Sequence, residues 1–388
     1  VKRNAPMVPS PWFWKGGIGM GVKKVMNGAE AMATAYKLAG VKIAYTYPIT
    51  PQSEVIEYLA SQGGIICIEA DSEYNVLAGS EGVTWSGERC AVVTSSQGLI
   101  YASELLWEIS GNRLPMVMGI FNRALKGPGW NVGAQQNDSL FMRDTGWIQL
   151  YCESVQELFD MILISFKLAE SVFLPAMVIG DGFYLSHVTE EVDIPSKDEV
   201  LAFLGEPSFA EELPKGGKVA GYGPMVAPDR YFDYWILMHS GMEEASSKFK
   251  EVAKEYENRF GRGYGLVDCF MMEDAVIAIV AAGVICGVAK EAVISLRERG
   301  VKAGVLKIRS FRPFPKEEIR SALSNAEKVV VLDRNIAPGI GGILAWELMS
   351  ALFTIKGKVD IYGFVTGLGG LDVTTEMVEE AVGFSLSH

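Results

Sequence analysis

The sequence predicts an α/β fold, a doubly wound parallel sheet followed by a smaller α/β unit, and three observations carry that prediction. Between Lys42 and Asp181, short β-branched runs alternate with amphipathic stretches. A shorter version of the same alternation resumes at Val276. Between them, from Val192 to Tyr231, the prolines Pro195, Pro207, Pro214, Pro224 and Pro228 break any periodicity. Strands that alternate with helices lie parallel, because each helix returns the chain along a face of the sheet.

The first strand is expected at Lys42–Tyr47 and runs into the stretch YPITPQSE, with Ser53 as N-cap of the next helix. A strand at Ile65–Glu69 precedes a helix beginning near Glu73, and a strand at Cys90–Thr94 precedes one beginning at Gly98. Met116–Phe121, Ile148–Cys152 and Ala176–Ile179 complete the first unit. Ser154 opens a further helix, and Glu157 three residues on has the spacing of a capping box. The proline-rich stretch reads as an extended linker, followed by a helix over Phe232–Phe260. Strands of the second unit are expected at Val276–Ala281, Ala303–Ile308, Val329–Leu332 and Val359–Phe364. The apolar run Ala275–Ala289 is too short to span a bilayer and reads as a buried strand turning into a helix. These readings divide the chain into an arm (1–24), a first domain (25–190), a linker with its helix (191–268) and a second domain (269–388).

Hydrophobic residues make up 49% of the 388 positions, enough for a large core, and the net charge of −12 disfavours nucleic acid and anionic membranes as partners. Cys67, Cys90, Cys152, Cys269 and Cys286 form no CxxC pair, so the chain encodes neither a zinc ribbon nor an iron–sulfur cluster. Their odd count and scatter fit a reducing compartment, and with no secretion signal the chain is expected in the cytoplasm.

Several glycine and histidine features carry less than they promise. Gly16–Gly21 is dense in glycine but follows no strand, and reads as a flexible arm. Gly339–Gly342 lies between a strand and a helix, suiting either an anion at the helix N-terminus or a tight packing turn. Gly180-Asp181-Gly182 is half of a magnesium–diphosphate motif. The asparagine that should follow is missing, since none occurs between Asn137 and Asn258, so Asp181 is read as a strand-end residue. His187, His239 and His388 have no partners at metal-ligand or triad spacing, and His187 reads as a hydrogen-bonded structural residue.

Four polar groups at successive strand ends remain: Thr50, Glu73, the run Ser95-Ser96-Gln97, and Arg123. Parallel neighbours bring such ends to one crevice. One carboxylate, one guanidinium and several hydroxyls there suit an anionic organic substrate, because arginine matches a carboxylate with a planar fork. The prolines around Ile49-Thr50 would hold a hydroxyl rigidly at the first of those ends.

With AYTYPITPQSEVIE, SEYNVLAGSEG, TSSQGL, GNRLPMVMGIFNRA, NDSLFMRDTGWIQLY, DGFYLSH, IRSFRPFPKEEI, VVVLDRN and GFVTGLGGLD, the chain resembles the α subunit of the 2-oxoacid:ferredoxin oxidoreductases over about Val25 to Met377. The resemblance implies that the first domain is the pyrimidine-binding half of a thiamine diphosphate site and that the second is like the transketolase C-terminal domain. A β subunit would carry the diphosphate-binding half with its magnesium, and γ or other cluster-bearing subunits the iron–sulfur clusters. The implied reaction is oxidative decarboxylation of a 2-oxoacid to acyl-coenzyme A, with electrons leaving through partner subunits to ferredoxin. Glu73 would hydrogen-bond N1′ of the aminopyrimidine, as a buried carboxylate raised by desolvation. Thr50 and Arg123 would hold the substrate's carboxylate and keto group. Pro48 and Ile49 would lie against the cofactor, and Ser96 and Gln97 would flank its ring. Two departures stand out, the arm with Trp12 and Trp14 and the segment Lys126–Gln136, and the second leaves the identity of the 2-oxoacid open. The other classes weighed are a subunit of a non-oxidative thiamine enzyme, an oxalate- or phenylglyoxylate-type oxidoreductase, and a non-catalytic subunit.

Overall fold

A computed structural model describes residues 21–207, 225–353 and 359–388. Most of the arm, with Trp12, Trp14 and the Gly16–Met20 run, lies outside the described residues, as do Pro214 and Pro224. The last residues of the arm form strand β1 (Val22–Asn27), which pairs antiparallel with β8 (Thr189–Ile194). Helix α1 (Gly28–Leu38) follows. Neither element was expected from the sequence. The cause of α1 is nonetheless local: Asn27 caps it by accepting from Glu30 N at 2.8 Å, and an alanine-rich face packs into the core.

Next in order come β2 (Ile43–Thr46), α2 (Ser53–Ser61), β3 (Ile66–Glu69), α3 (Glu73–Trp85), β4 (Cys90–Thr94), α4 (Ser96–Tyr101), α5 (Ser103–Gly111) and β5 (Val117–Asn122). After them come α6 (Asn137–Phe141), β6 (Ile148–Tyr151), α7 (Val155–Val172) and β7 (Ala176–Asp181). Ser53 is the first residue of α2 and not its cap, since Gln52 takes the cap position and buries its amide elsewhere. The helix expected from Gly98 starts at Ser96 and breaks at Ala102. The stretch read as a linker opens as the end of β8 and as α8 (Lys197–Leu204), which Ser196 and Glu199 start with a full capping box. Helix α9 (Pro228–Phe260) begins four residues earlier than expected, with proline in its first turn, and stops at Gly261.

The second unit comprises β9 (Val267–Phe270), β10 (Ile277–Ala281), α10 (Ile285–Glu298), β11 (Ala303–Ile308), β12 (Ser310–Arg312), α11 (Lys316–Ala322), β13 (Lys328–Asp333), α12 (Ile343–Leu352), β14 (Asp360–Val365) and α13 (Thr375–Ser387). Its sheet runs β14-β13-β10-β11-β9, parallel except for β9. The first sheet runs β12-β6-β7-β5-β4-β2-β3, parallel except for β12, a short strand lent by the second unit. Between β2 and β4 the connections leave in opposite directions, to β3 on one side and to β5 on the other. That is a topological switch point, where the loops part and open a crevice.

One apolar cluster joins the units, running from Leu77, Leu99 and Leu106 to Val280, Leu306 and Leu348. At its margin lies a buried ion group. Ser154 caps α7 as expected, but the Glu157 side chain does not close the box. Its oxygens lie 2.5 Å from Lys307 Nζ and 2.5 Å from Arg309 Nε, and one also accepts from Glu153 N at 2.8 Å. Burial alone would raise its pKa, but the two cations hold it down at about 2. Among the described residues no helix is long and apolar enough to cross a membrane.

Replacing Glu157 with Gln takes the nearest countercharge from two buried cations, leaving them only the more distant Glu153 and Asp268, and should cost about 3–5 kcal/mol in urea unfolding. Because the folded pKa lies below the ordinary 4.5, the wild-type carboxylate contributes fully above about pH 4.5 and loses its contribution as pH falls toward about 2. The Gln variant should therefore show a flatter stability profile across that window.

Candidate functional site

Each strand end at the switch point is fastened by a buried side chain. After β2 the chain passes through Pro48, Ile49 and Thr50 to Pro51, and Ile49 O accepts from Gln52 N at 2.7 Å. The Gln52 side chain then reaches under the loop and donates to Thr94 O at 2.9 Å and Gly119 O at 3.2 Å, tying the end of β2 to β4 and β5. Thr50 and Pro48 stand exposed above this anchor and Ile49 is half-buried.

Arg123, directly after β5, connects the predicted residues. Its Nη1 donates to Thr50 O at 2.8 Å and its Nη2 to Gln97 Oε1 at 2.6 Å. Ser96 Oγ lies 2.7 Å from both Gln97 Oε1 and Ala124 O. Ser96 has φ +50°, a left-handed conformation that a non-glycine residue holds only when its surroundings compel it. Burial lowers the pKa of Arg123, while Asp138 and Glu73 oppose the shift. Thr50, Ser96, Gln97 and Arg123 thus form one bonded chain.

Glu73 begins α3 and faces the same group across Gly98. A Cβ on Gly98 would lie 2.6 Å from Glu73 Oε1 and 2.7 Å from Thr94 Oγ1, so glycine is what lets the carboxylate lie against α4. The chain alone leaves Glu73 half-exposed, which corrects the expectation of a buried carboxylate.

Sequence reasoning missed Gln52, Asn122 and Asp138. Asp138 accepts from Ser96 N at 2.9 Å, Arg123 N at 3.1 Å, Ser139 N at 2.8 Å and the Asn122 amide. The sequence carried no cap signal for it, because Asp138 lies inside the first turn of α6 and the cap position belongs to Gln136. Around these groups Gln52 Oε1, Thr94 Oγ1, Gln97 Nε2, Asn122 Oδ1 and Arg123 Nε are buried without a hydrogen-bond partner. Buried polar atoms are seldom left unpaired, and five of them gather at this crevice.

The rejected motifs resolve clearly. Asp181 ends β7, and its oxygens accept from Gln136 Nε2 at 3.3 Å and Val284 N at 2.9 Å, so it bridges the units. At Gly339–Gly342 the N-terminus of α12 already holds an anion, because Asp333 accepts from Leu344 N and Ala345 N. Of the two readings of that run, the packing turn holds. His187 bonds Ser186 Oγ through Nδ1 at 2.6 Å. The segment Lys126–Gln136 has an exposed tip at Trp130, while its far end is held by Gly370 N on Ala134 O and by Gln136 N on Arg334 O.

Comparison with known proteins bears on the same site. The pyruvate flavodoxin/ferredoxin oxidoreductase thiamine diphosphate-binding family matches residues 34–258, and pyruvate:ferredoxin oxidoreductase core domain II matches residues 275–378. The pyruvate synthase subunit PorA of Methanothermobacter thermautotrophicus is 41% identical over 369 residues, covering 93% of this chain and 94% of that one. The ketoisovalerate oxidoreductase subunit VorA of Pyrococcus horikoshii is 37% identical over 364 residues, covering 92% of each. Among solved structures, a 2-oxoglutarate:ferredoxin oxidoreductase from Magnetococcus marinus superposes with TM-score 0.72 at 22% identity. That match covers 94% of this chain, which spans only 65% of the solved one. A split-gene transketolase superposes with TM-score 0.54 at 14% identity, covering 93% of this chain and 98% of the other. At such identities these two speak for the fold alone.

Substituting Gly98 with Ala tests the packing beneath Glu73. The added methyl should displace the carboxylate and cost about 1–3 kcal/mol, the usual penalty of overpacking. Thermal unfolding measures the cost, and a crystal structure of the variant should show Glu73 in another rotamer.

Proposed function

We infer the function from one premise: the chain belongs to the 2-oxoacid:ferredoxin oxidoreductase family, as a subunit of the α type. It is a chain of an oxidoreductase acting on 2-oxoacids, with a thiamine diphosphate-binding domain. The specific reading is oxidative decarboxylation of pyruvate or a similar 2-oxoacid to acyl-coenzyme A and carbon dioxide, with electrons passed to iron–sulfur clusters on partner subunits. The observation that carries it is the bonded chain Thr50–Arg123–Gln97–Ser96 with Glu73 beside it, set among unpartnered buried polar atoms at the switch point. Residues 25–190 serve as the pyrimidine-binding domain and 269–388 as a transketolase C-terminal-like domain, with 191–268 connecting them.

The residues fit one end of the cofactor and not the other. Glu73 is a free-standing carboxylate in a place cleared by Gly98, suited to an aminopyrimidine N1′. Nothing comparable suits a magnesium diphosphate. Asp181 already accepts from Gln136 Nε2 and Val284 N, and among the described residues no three His, Cys, Asp or Glu side chains gather to hold a metal ion. This supports a split site whose magnesium and diphosphate belong to a β subunit. Exposed Tyr101, Trp130, Phe141, Ile340 and Trp346 offer apolar surface that a partner would cover. Further γ or cluster-bearing subunits would hold the route to ferredoxin, and the cytoplasm is the compartment that free, scattered thiols suit.

When bound, thiamine diphosphate supplies the nucleophilic carbon and the electron sink that decarboxylation requires. Glu73 holds a proton at N1′, and its ionised form favours the protonated ring. The Thr50 hydroxyl and the remaining N–H groups of Arg123 orient the substrate's keto oxygen and carboxylate. Pro48 and Ile49 would give the cofactor a rigid surface and Gln97 would border its ring, while Ser96, fully buried, would act through its bond to Gln97.

The purified chain alone should bind thiamine diphosphate weakly in calorimetry, whereas the assembled complex should reduce a viologen when given a 2-oxoacid. Micromolar binding by the isolated chain would contradict the split site, and a complex inert toward a panel of 2-oxoacids would overturn the reaction. Within an active complex, Glu73→Gln should lower kcat by about two to four orders of magnitude, the worth of a positioned acid–base group. Cofactor affinity, followed by fluorescence titration, should change far less.

A further inference from the structure

Asp138 is a charged side chain with no solvent exposure, lodged between the ends of β4 and β5 and the start of α6. A carboxylate offers about four lone-pair directions, and here each meets an N–H donor. Oδ2 takes Ser96 N and Arg123 N, while Oδ1 takes Ser139 N and the Asn122 amide. A carboxamide, or a carboxyl carrying a proton, would point a donor at one of these donors. Two of the four bonds hold the backbone of residues whose side chains build the site, the left-handed Ser96 and Arg123 itself. Asn122 also donates to Ser139 Oγ at 2.8 Å, so the group is internally braced.

We propose that Asp138 is a positioning residue of the 2-oxoacid site: its ionised carboxylate sets the turn at Ser96 and the direction of the Arg123 guanidinium, and neutralising it loosens the grip on substrate. This rests on the assignment of Arg123 made above. The charged and titratable groups around Asp138 come from five elements, among them β12, whose Arg312 acts on Tyr151. Arg123 follows β5, and Tyr151 of β6 lies 2.7 Å from Ser139 Oγ. Asp181, at the end of β7, acts on Tyr151, and Glu73 of α3 acts on Arg123. Burial pushes Asp138 up to about 6, against the four donors that pull it down, so neutralisation falls within mildly acid conditions. Below that pH the 2-oxoacid KM rises while the chemical step, which depends on Glu73, is less affected.

The test measures kcat and KM for the 2-oxoacid across a range of mildly acid to neutral pH in the assembled holoenzyme, for wild type, Asp138→Asn and Asn122→Ala. Asp138→Asn should raise KM about tenfold to a hundredfold, the worth of one or two charge-assisted hydrogen bonds, with a smaller change in kcat. Asn122→Ala keeps the carboxylate but removes one donor that favours its ionised form. It should move the acid limb of the KM profile upward by about half a unit to one unit. Where Asp138→Asn does not assemble, that movement decides the matter. An unchanged KM in Asp138→Asn, or an acid limb that Asn122→Ala leaves in place, overturns the proposal. Both results are read against a wild-type complex that oxidises 2-oxoacid, so they are distinct from failure of the reaction assignment.

Discussion

Parallel strands end in backbone groups that no ladder can pair, and the site is built from the side chains that pair them. Buried N–H and C=O groups left alone cost as much as a lost hydrogen bond. Gln52 meets the carbonyls of Thr94 and Gly119, and Asp138 meets the amides of Ser96 and Arg123. Asp181 does the same for Val284, across the boundary between the two units. Each of these side chains joins at least two elements, so the crevice inherits the rigidity of the sheet. The residues that face outward, Thr50 and Glu73, can then be few and simple.

The second unit takes part in this arrangement through the loop that follows Arg123. The loop leaves the first sheet, exposes Trp130, and returns along the ends of β13 and β14, where Arg334 O and Gly370 N hold it. The shared apolar cluster and the Glu157 group keep those ends in place. A change in the packing of the second unit would therefore move the far end of the loop before it reached Arg123. Under the proposed function, sequence variation at Lys126–Gln136 would reshape what surrounds the substrate while Asp138 keeps the Arg123 backbone, and Thr50 and Gln97 its guanidinium, in place.

Much of this was legible in the residues, for identifiable reasons. β4 and β11 were placed to the residue because β-branched runs buried on both faces have sharp ends. The strand-end set emerged because Thr50, Glu73, Ser96 and Arg123 each follow one of four successive expected strands. α1 was missed because GAEAMATAYKL is so rich in alanine that its apolar face shows little contrast. β9 and β12 were missed, the second because a strand of three residues carries too little period to count. Glu157 illustrates a deeper limit. Its spacing from Ser154 signals a cap, yet tertiary contact with Lys307 and Arg309, some 150 residues away, claims the carboxylate instead. Asp138 was invisible in kind, since a carboxylate whose work is to collect backbone amides leaves no mark in side-chain chemistry.

The half-exposure of Glu73 joins these points. In the role proposed for it, Glu73 would need a low-dielectric surrounding, and the first unit packs against it on one side only, through Gly98 and Thr94. Arg123 is in the complementary position: burial has cost it solvent, and two of its N–H groups are spent on Thr50 and Gln97 while Nε–H has no partner. Neither group is at its functional best in the isolated chain. Both would be completed by matter arriving from the open side, a carboxylate for the guanidinium and an apolar wall for Glu73. In the split site proposed above, the chain would hold its own half rigid and leave the dielectric to be set by assembly, so that chemistry would wait for the partner.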